Sequence, residues 1–294
     1  MTRIIEYTVA PEYDGMKLYT FLRSVNSLSL TAVRKLKHTD GGILRNGEFI
    51  RTVDTVAAGD VITVSLPVKP AAMEPTEIAL DILYEDDDIL VINKPATLAM
   101  HPTHNHQGDT LANAVVNYFE KKGRQTGFHA VGRLDKCTSG VVVCALNSVA
   151  AGKLSGKIEK EYYALVQGEY SGSGTVDKPI YRPDPGKTLR AAGETGDRAV
   201  THWKALSSAG GVSLLSITLE TGRTHQIRVH FSSLQTPLCG DEMYGGTTDL
   251  ISRAALHCRK AEFTHPVTNE KMTFTAPLPE DMHSAASKAG IKTE

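Results

Sequence analysis

Residues 129–146 read HAVGRLDKCTSGVVVCAL. The unbroken apolar run from Val141 to Leu146 predicts a strand buried on both faces, and it is far too short to cross a bilayer. Thr138-Ser139-Gly140 makes the turn into it, and an Arg133-Leu134-Asp135-Lys136 knot stands just before that turn. Alone, an Arg-Leu-Asp reads as an aspartate capping a turn with nearby cations as its ion pairs. Working outward, Ile82 to Lys94 gives two strands around the acidic run Glu85 to Asp88, read as a solvated turn because like charges at this density repel. Residues 109–122 predict an amphipathic helix capped by Asp109 or Thr110, and 149–157 a short helix. Strand-like segments cover 139–150, 161–168, 199–206, 212–220, 225–231 and 271–275. Strands outnumber helices and do not alternate strictly with them, which predicts an α+β fold with a large mixed, mostly antiparallel sheet rather than a doubly wound parallel one.

A second run decides how the Asp135 knot is read. Residues 219–230 are LETGRTHQIRVH, in which polar and apolar side chains alternate. In strand geometry His225, Ile227 and Val229 face one way while Gln226, Arg228 and His230 face the other. A buried arginine needs an anion, and Asp135 is the natural partner of Arg228, a pairing that would lower the carboxyl pKa and keep it ionised.

The N-terminal stretch has a different grammar. Leu18, Phe21 and Leu22 have the spacing of one buried helical face, and Ser29 or Thr31 caps a second helix that turns Val33 and Leu36 inward. Arg34, Lys35 and Lys37 are left on its outer face. Asn46-Gly47 joins short strands at Ile43–Arg45 and Glu48–Ile50, and Gly59-Asp60 leads into a strand from Val61 to Leu66. These elements form a small α/β module over 13–68, followed by a proline-punctuated linker at 69–78, a larger domain at 79–282 and a frayed tail at 283–294.

With 32 basic and 33 acidic residues, the chain does not bind nucleic acid through bulk charge. The balance is an average of blocks: residues 1–70 carry a net +2, 71–127 a net −5 and 128–270 a net +2. The four cysteines have no C-x-x-C spacing, the N-terminus has neither a signal peptide nor an anchor, and a cytoplasmic protein is expected. Residues 183–188, PDPGKT, resemble the end of a phosphate-binding loop, but Tyr181 stands where that motif needs glycine. His101, His104 and His106 match no zinc spacing, so no metal is expected.

The ordered blocks together resemble the RluA/RluD family of RNA pseudouridine synthases. They are Ile92-Asn93-Lys94-Pro95-Ala96 with His101-Pro102; Arg133-Leu134-Asp135 with Thr138-Ser139-Gly140; and Lys160-Glu161-Tyr162 with Ala164-Leu165-Val166 and Gly168. Gly222 to His230, Gly240-Asp241 with Tyr244-Gly245-Gly246, Leu256-His257, and Phe263 with His265-Pro266 follow in that order. The N-terminal module is similar to the small S-four-type RNA-binding domain. Gly132, Cys137 and Thr97 depart from common family residues, which touches substrate choice rather than the catalytic positions.

The resemblance implies that Asp135 is the catalytic aspartate, Tyr162 the tyrosine packed on the target base, and Arg228 the arginine beside the aspartate. Leu256 would supply an apolar wall. Arg133, Lys136, Thr138, Lys160, Arg223, His225 and Gln226 are the substrate and RNA contacts near the site, with Arg34, Lys35 and Lys37 contributing from the module. The implied reaction converts specific uridines to pseudouridine in structured RNA, ribosomal RNA first and transfer RNA second, with Asp135 as nucleophile or base on the sugar and no cofactor. A non-catalytic ribosome-assembly factor on the same fold is the rival reading, and a monomer is the expected state.

Overall fold

The structure is a computed structural model that describes residues 2–67, 71–103 and 107–293. The predicted linker therefore lies partly, and His104 and His106 wholly, outside the described residues.

The N-terminal elements form their own sheet. Strands β1 (Thr2–Thr8), β2 (Ile43–Arg45), β3 (Glu48–Phe49) and β4 (Val61–Pro67) lie in the order β1-β4-β2-β3, all antiparallel. The module thus begins at residue 2 rather than 13, because β1 pairs along the whole of β4. Asn46 and Gly47 both have positive φ, the conformation a two-residue hairpin turn of this hand requires. Helix α1 (Leu18–Thr20) runs into a π-helical turn, and α2 (Leu30–Lys37) starts at Ser29, whose hydroxyl accepts the Ala32 N–H. Leu18, Phe21, Leu22, Val33 and Leu36 pack with Ile5, Ile62 and Val64 in a single apolar core.

The remaining strands build one ten-stranded sheet among the described residues. They are β5 (Asp81–Glu85), β6 (Ile89–Lys94), β7 (His129–Val131), β8 (Ser139–Ala145), β9 (Glu159–Gln167) and β10 (Ser173–Asp177). A small β11 (Ile180–Tyr181) and β12 (Ala191–Ala192) hairpin stands off the sheet, which continues with β13 (Val200–Ala209), β14 (Val212–Leu219), β15 (Leu256–Thr264) and β16 (Lys271–Thr275). The order β10-β13-β14-β9-β15-β8-β6-β5 is antiparallel except where β15 meets β8. That parallel join is a close approach. Gly140 has φ +108, and a Cβ there would lie 2.1 Å from the Cys258 carbonyl oxygen. Helices α3 (Leu111–Lys121), begun by a Thr110–Asn113 capping box, and α4 (Ser148–Leu154) pack with the sheet, whose strand β8 is buried throughout.

Three expectations are corrected. Residues 225–231 are not a strand but the start of helix α5 (Gln226–Ser233). The tail is not frayed: α6 (Glu280–Lys288) buries Met282, Ala285 and Ala286, and Ile291 packs with them. The acidic run is a joint rather than a solvated turn. Glu85 pairs with Lys122, Asp87 with Arg124, and Asp86 accepts from His265 Nε2 at 2.8 Å. Asp88, 2% exposed, accepts both Arg3 of β1 and Asn147, so it ties the module to the sheet. No helix among the described residues is long and apolar enough to cross a membrane.

Candidate active site

The Asp135 loop connects β7 to β8, and it is held by its backbone. Buried Leu134 anchors one side, and the Asp135 carbonyl accepts the Thr138 N–H at 3.0 Å, closing a turn. Two cations, the buried Lys94 and the part-exposed Arg253, then clamp the loop carbonyls. Lys94 Nζ, at the end of β6, donates to the carbonyls of Pro95, Leu98 and Lys136. Burial pushes its ammonium down to about 7, yet three carbonyls around Nζ use all three donors that only the charged form possesses. Arg253 Nη1 donates to the Cys137 carbonyl at 3.0 Å while its Nε and Nη2 engage Asp281 of α6. The aspartate is thus aimed by its neighbours' main chain, and its side chain stays 27% exposed.

It opens into a cleft of about 1740 Å³ lined by Arg133, Asp135, Tyr162, Arg223, His225 and Arg228 among others. Helix α5 supplies two of these. His225 is its N-cap in the left-handed region, φ 58°, a strained conformation for a non-glycine residue of the kind that collects at functional sites. One helical turn on, Arg228 shares its face. His225 Nε2 lies 3.9 Å and Arg228 Nη1 3.4 Å from the same Asp135 oxygen.

Asp135 is not the main partner of Arg228. That partner is Asp241, which takes Nε and Nη2 at 2.7 Å each in a bidentate pair. Burial works against the guanidinium charge, but the Asp241 hydrogen bonds and the neighbouring acidic groups outweigh it and raise the pKa above its ordinary value. The arginine therefore presents one remaining edge to Asp135 from a fixed plane, with its Cζ 5.0 Å from the Tyr244 ring centroid. Tyr244 also bonds His225 Nδ1 at 2.9 Å through its hydroxyl. Burial lowers the His225 pKa, with Asp135 acting in the opposite sense. Tyr162, on β9, is 7% exposed, and burial raises its phenol pKa well above the usual value.

The other expected contacts separate into two groups. Arg133, Lys136 and Arg223 are exposed and line the cleft. Arg34, Lys35 and Lys37 are exposed on α2 with no ion pair among the described residues. Four others belong to the scaffold. Gln226 is buried, with its amide oxygen accepting Thr221 Oγ1–H and Arg223 N–H and its amide nitrogen donating to Val200 O and Thr201 Oγ1. Thr138 and Leu256 are buried and outside the cleft lining. Lys160 lines the cleft but gives its ammonium to the Gly132 carbonyl, and burial lowers its pKa.

Asp241, Tyr244, Lys94 and Arg253 carry no assigned role in the sequence reading. Lys94 had a signal: a lysine ending the apolar run ILVINK must find acceptors in the interior. Asp241 and Arg253 sit in irregular segments without periodicity. Among the described residues no group of His, Cys, Asp or Glu could hold a metal ion.

Comparison with known proteins places the chain in a family. The family described as RNA pseudouridylate synthase matches residues 88–233. The chain is 38% identical to the uncharacterized RNA pseudouridine synthase YjbO of Bacillus subtilis, over 87% of this chain and 93% of that protein. It is also 38% identical to ribosomal large subunit pseudouridine synthase D of Vibrio parahaemolyticus, over 83% of this chain and 81% of that one. Among solved structures, human RNA pseudouridylate synthase domain containing 1 superposes with a TM-score of 0.56 at 29% identity, covering 70% of this chain and 86% of the human one.

Proposed function

The chain belongs to the RNA pseudouridine synthases and is an enzyme of that class, and from this premise we propose that it isomerises specific uridines of large-subunit ribosomal RNA, with Asp135 as the catalytic group. The observation that carries the assignment is the part-exposed Asp135 carboxylate at the base of the cleft, approached by Arg228 and His225 and backed by the buried Arg228–Asp241 pair.

The chemistry fits these residues. The bond between N1 and the ribose C1′ breaks, the base turns within the pocket, and a bond from C5 to C1′ forms. The C5 hydrogen leaves as a proton and N1 gains one, so the reaction is an isomerisation with no redox change. Asp135 acts on the sugar, and the Arg228 guanidinium stands 3.4 Å from its carboxylate. Arg228 can neutralise charge there without moving, because Asp241 fixes its plane. Tyr162 offers a protonated phenol ring as the platform that retains the detached base. The uridine must leave its stack to reach Asp135, at a cost on the order of a few kcal/mol. Phosphate contacts by Arg133, Lys136 and Arg223, and by Arg34, Lys35 and Lys37 on an S-four-type module, offset that cost and make binding salt-dependent. The protein acts as a cytoplasmic monomer in this reading.

Mapping pseudouridines in ribosomal RNA from cells lacking the gene tests the assignment. At least one large-subunit position should revert to uridine and be restored by the wild-type gene but not by Asp135→Asn. Unchanged ribosomal RNA with a lost site in transfer RNA would move the substrate to transfer RNA.

A further inference from the structure

Beside the cleft, and sharing Arg133, Gly222, Arg223 and Thr224 with it, runs a second groove of about 530 Å³. Its outer wall is the β11–β12 hairpin, whose Tyr181, Arg182 and Arg190 have no part in the site described so far. The tip of this hairpin is the PDPGKT stretch that fails as a nucleotide-binding loop.

The groove is cationic. Arg133, Arg182, Arg190 and Arg223 line it against one carboxylate, Asp197, which stands 3.6 Å from Arg223 Nη1. Arg182 and Arg190 make no ion pair among the described residues. Arg182 Nε donates to the Lys187 carbonyl at 2.7 Å, and Arg190 Nη1 donates to the carbonyls of Thr188 at 2.7 Å and Leu189 at 3.1 Å. A carbonyl fixes the direction of a guanidinium without cancelling its charge, and each keeps further N–H donors for an anion.

The hairpin is anchored rather than loose. Ile180 is buried with Ala199, Val229 and Tyr244, and the Arg190 backbone N–H donates to the Tyr244 hydroxyl at 3.1 Å. The groove is thereby fixed to the tyrosine that also touches His225 and Arg228. Strand alternation turns Ile180 inward and Tyr181 outward, where it is 41% exposed. Its ring rests against Gly193, where a Cβ would come within 2.9 Å of it. An exposed, supported aromatic ring between unpaired arginines is the pattern that binds single-stranded nucleic acid, by stacking a base and holding phosphates.

We propose that this groove binds the RNA strand flanking the target uridine, with Tyr181 stacking a neighbouring base and Arg182 and Arg190 holding its phosphates. The site rests on the RNA-modifying function proposed above and holds the flanking strand in register with the target uridine.

The test uses the full chain, a fluorescent oligouridylate of about ten nucleotides, and a large-subunit ribosomal RNA transcript carrying tritium at uridine C5. Binding is titrated between about 50 and 200 mM salt. Replacing Arg182 and Arg190 together by Ala should flatten the dependence of log Kd on log salt by about 1.4, the value for two single-strand phosphate contacts. Tyr181→Ala should weaken binding about tenfold while Tyr181→Phe stays within about twofold. Tritium release should show a loss of kcat/KM of about tenfold in the double-arginine variant, carried by KM. An unchanged salt slope with kcat/KM within about twofold of wild type overturns the site. If wild type itself releases no tritium, the proposed reaction fails on that substrate, and an unchanged oligouridylate slope in the double variant then overturns the groove on its own.

Discussion

The N-terminal module and the Asp135 cleft solve opposite problems with the same alphabet. In the module, apolar side chains go inside and charges go out: Leu18, Phe21 and Leu36 are buried, while Arg34, Lys35 and Lys37 are exposed. Behind the cleft, the charges that fix the site are inside. Lys94, Asp241 and Arg228 are all 5% exposed or less, and each is matched to a specific acceptor or donor. A helix built on the first plan tolerates most exchanges of its outer residues, whereas one built on the second does not tolerate removal of a single partner.

Removing Asp241 should therefore cost most. Asp241→Ala leaves a buried guanidinium without its bidentate partner, and a loss of about 3–5 kcal/mol of stability is expected by denaturant titration, with tritium release falling below detection. If Asp241→Ala unfolds at the wild-type midpoint, the pair is not what orients Arg228.

A comparable loss in the module should come from volume rather than charge. Leu36→Ala is expected to cost about 3 kcal/mol with the active-site reaction retained at temperatures where the module stays folded. A loss of catalysis in the still-folded variant would show that the two regions are not separable in this way.

The interior charge plan also sets a pH dependence. His257, on β15, accepts Ser139 Oγ–H at Nδ1 and donates from Nε2 to the Ala276 carbonyl, so it is held neutral. Burial lowers its pKa from 6.5 to about 4. The unfolded chain binds the proton first as pH falls. Stability is therefore full above about pH 6.5 and is lost progressively toward pH 4, by about 3 kcal/mol from this residue. His257→Gln should flatten that segment of the stability profile, and an equally steep profile in the variant would assign the acid sensitivity elsewhere.

The smallest effects belong to the outer face of α2. Lys35→Ala should change stability by less than about 0.5 kcal/mol while reducing the salt slope of RNA binding by about one phosphate contact. A slope equal to wild type for substitutions at Arg34, Lys35 and Lys37 together would remove the module from the RNA interface.

The same contrast explains what could be read from the sequence. The module's elements were legible because their periodicity separates core from solvent, and Asn46-Gly47 has one conformational use. Strands β6 and β8 were legible as apolar runs. The segment 225–231 misled because its alternation of polar and apolar residues has period two without a solvent face. Gln226, Arg228 and His230 are all buried, each satisfied by a partner outside α5. The polarity there records hydrogen-bonding partners distant in sequence, which no local pattern encodes. The consequence is concrete: a strand would have set His225 and Arg228 on opposite faces, while the helix brings both to one Asp135 oxygen. Asp135 itself was legible from its motif. Its supports, Asp241 and Arg253, were not, because they lie in irregular segments held by contacts with residues distant in sequence.

The most direct test is a pairwise measurement on Asp135→Asn: tritium released from C5-labelled RNA, and affinity for the same RNA. Removal of the carboxylate charge at a nearly isosteric side chain should lower release by at least about 10³-fold, with Kd within about threefold of wild type and the same unfolding midpoint. Release at the wild-type rate by the folded Asp135→Asn enzyme would contradict the assignment of the catalytic group.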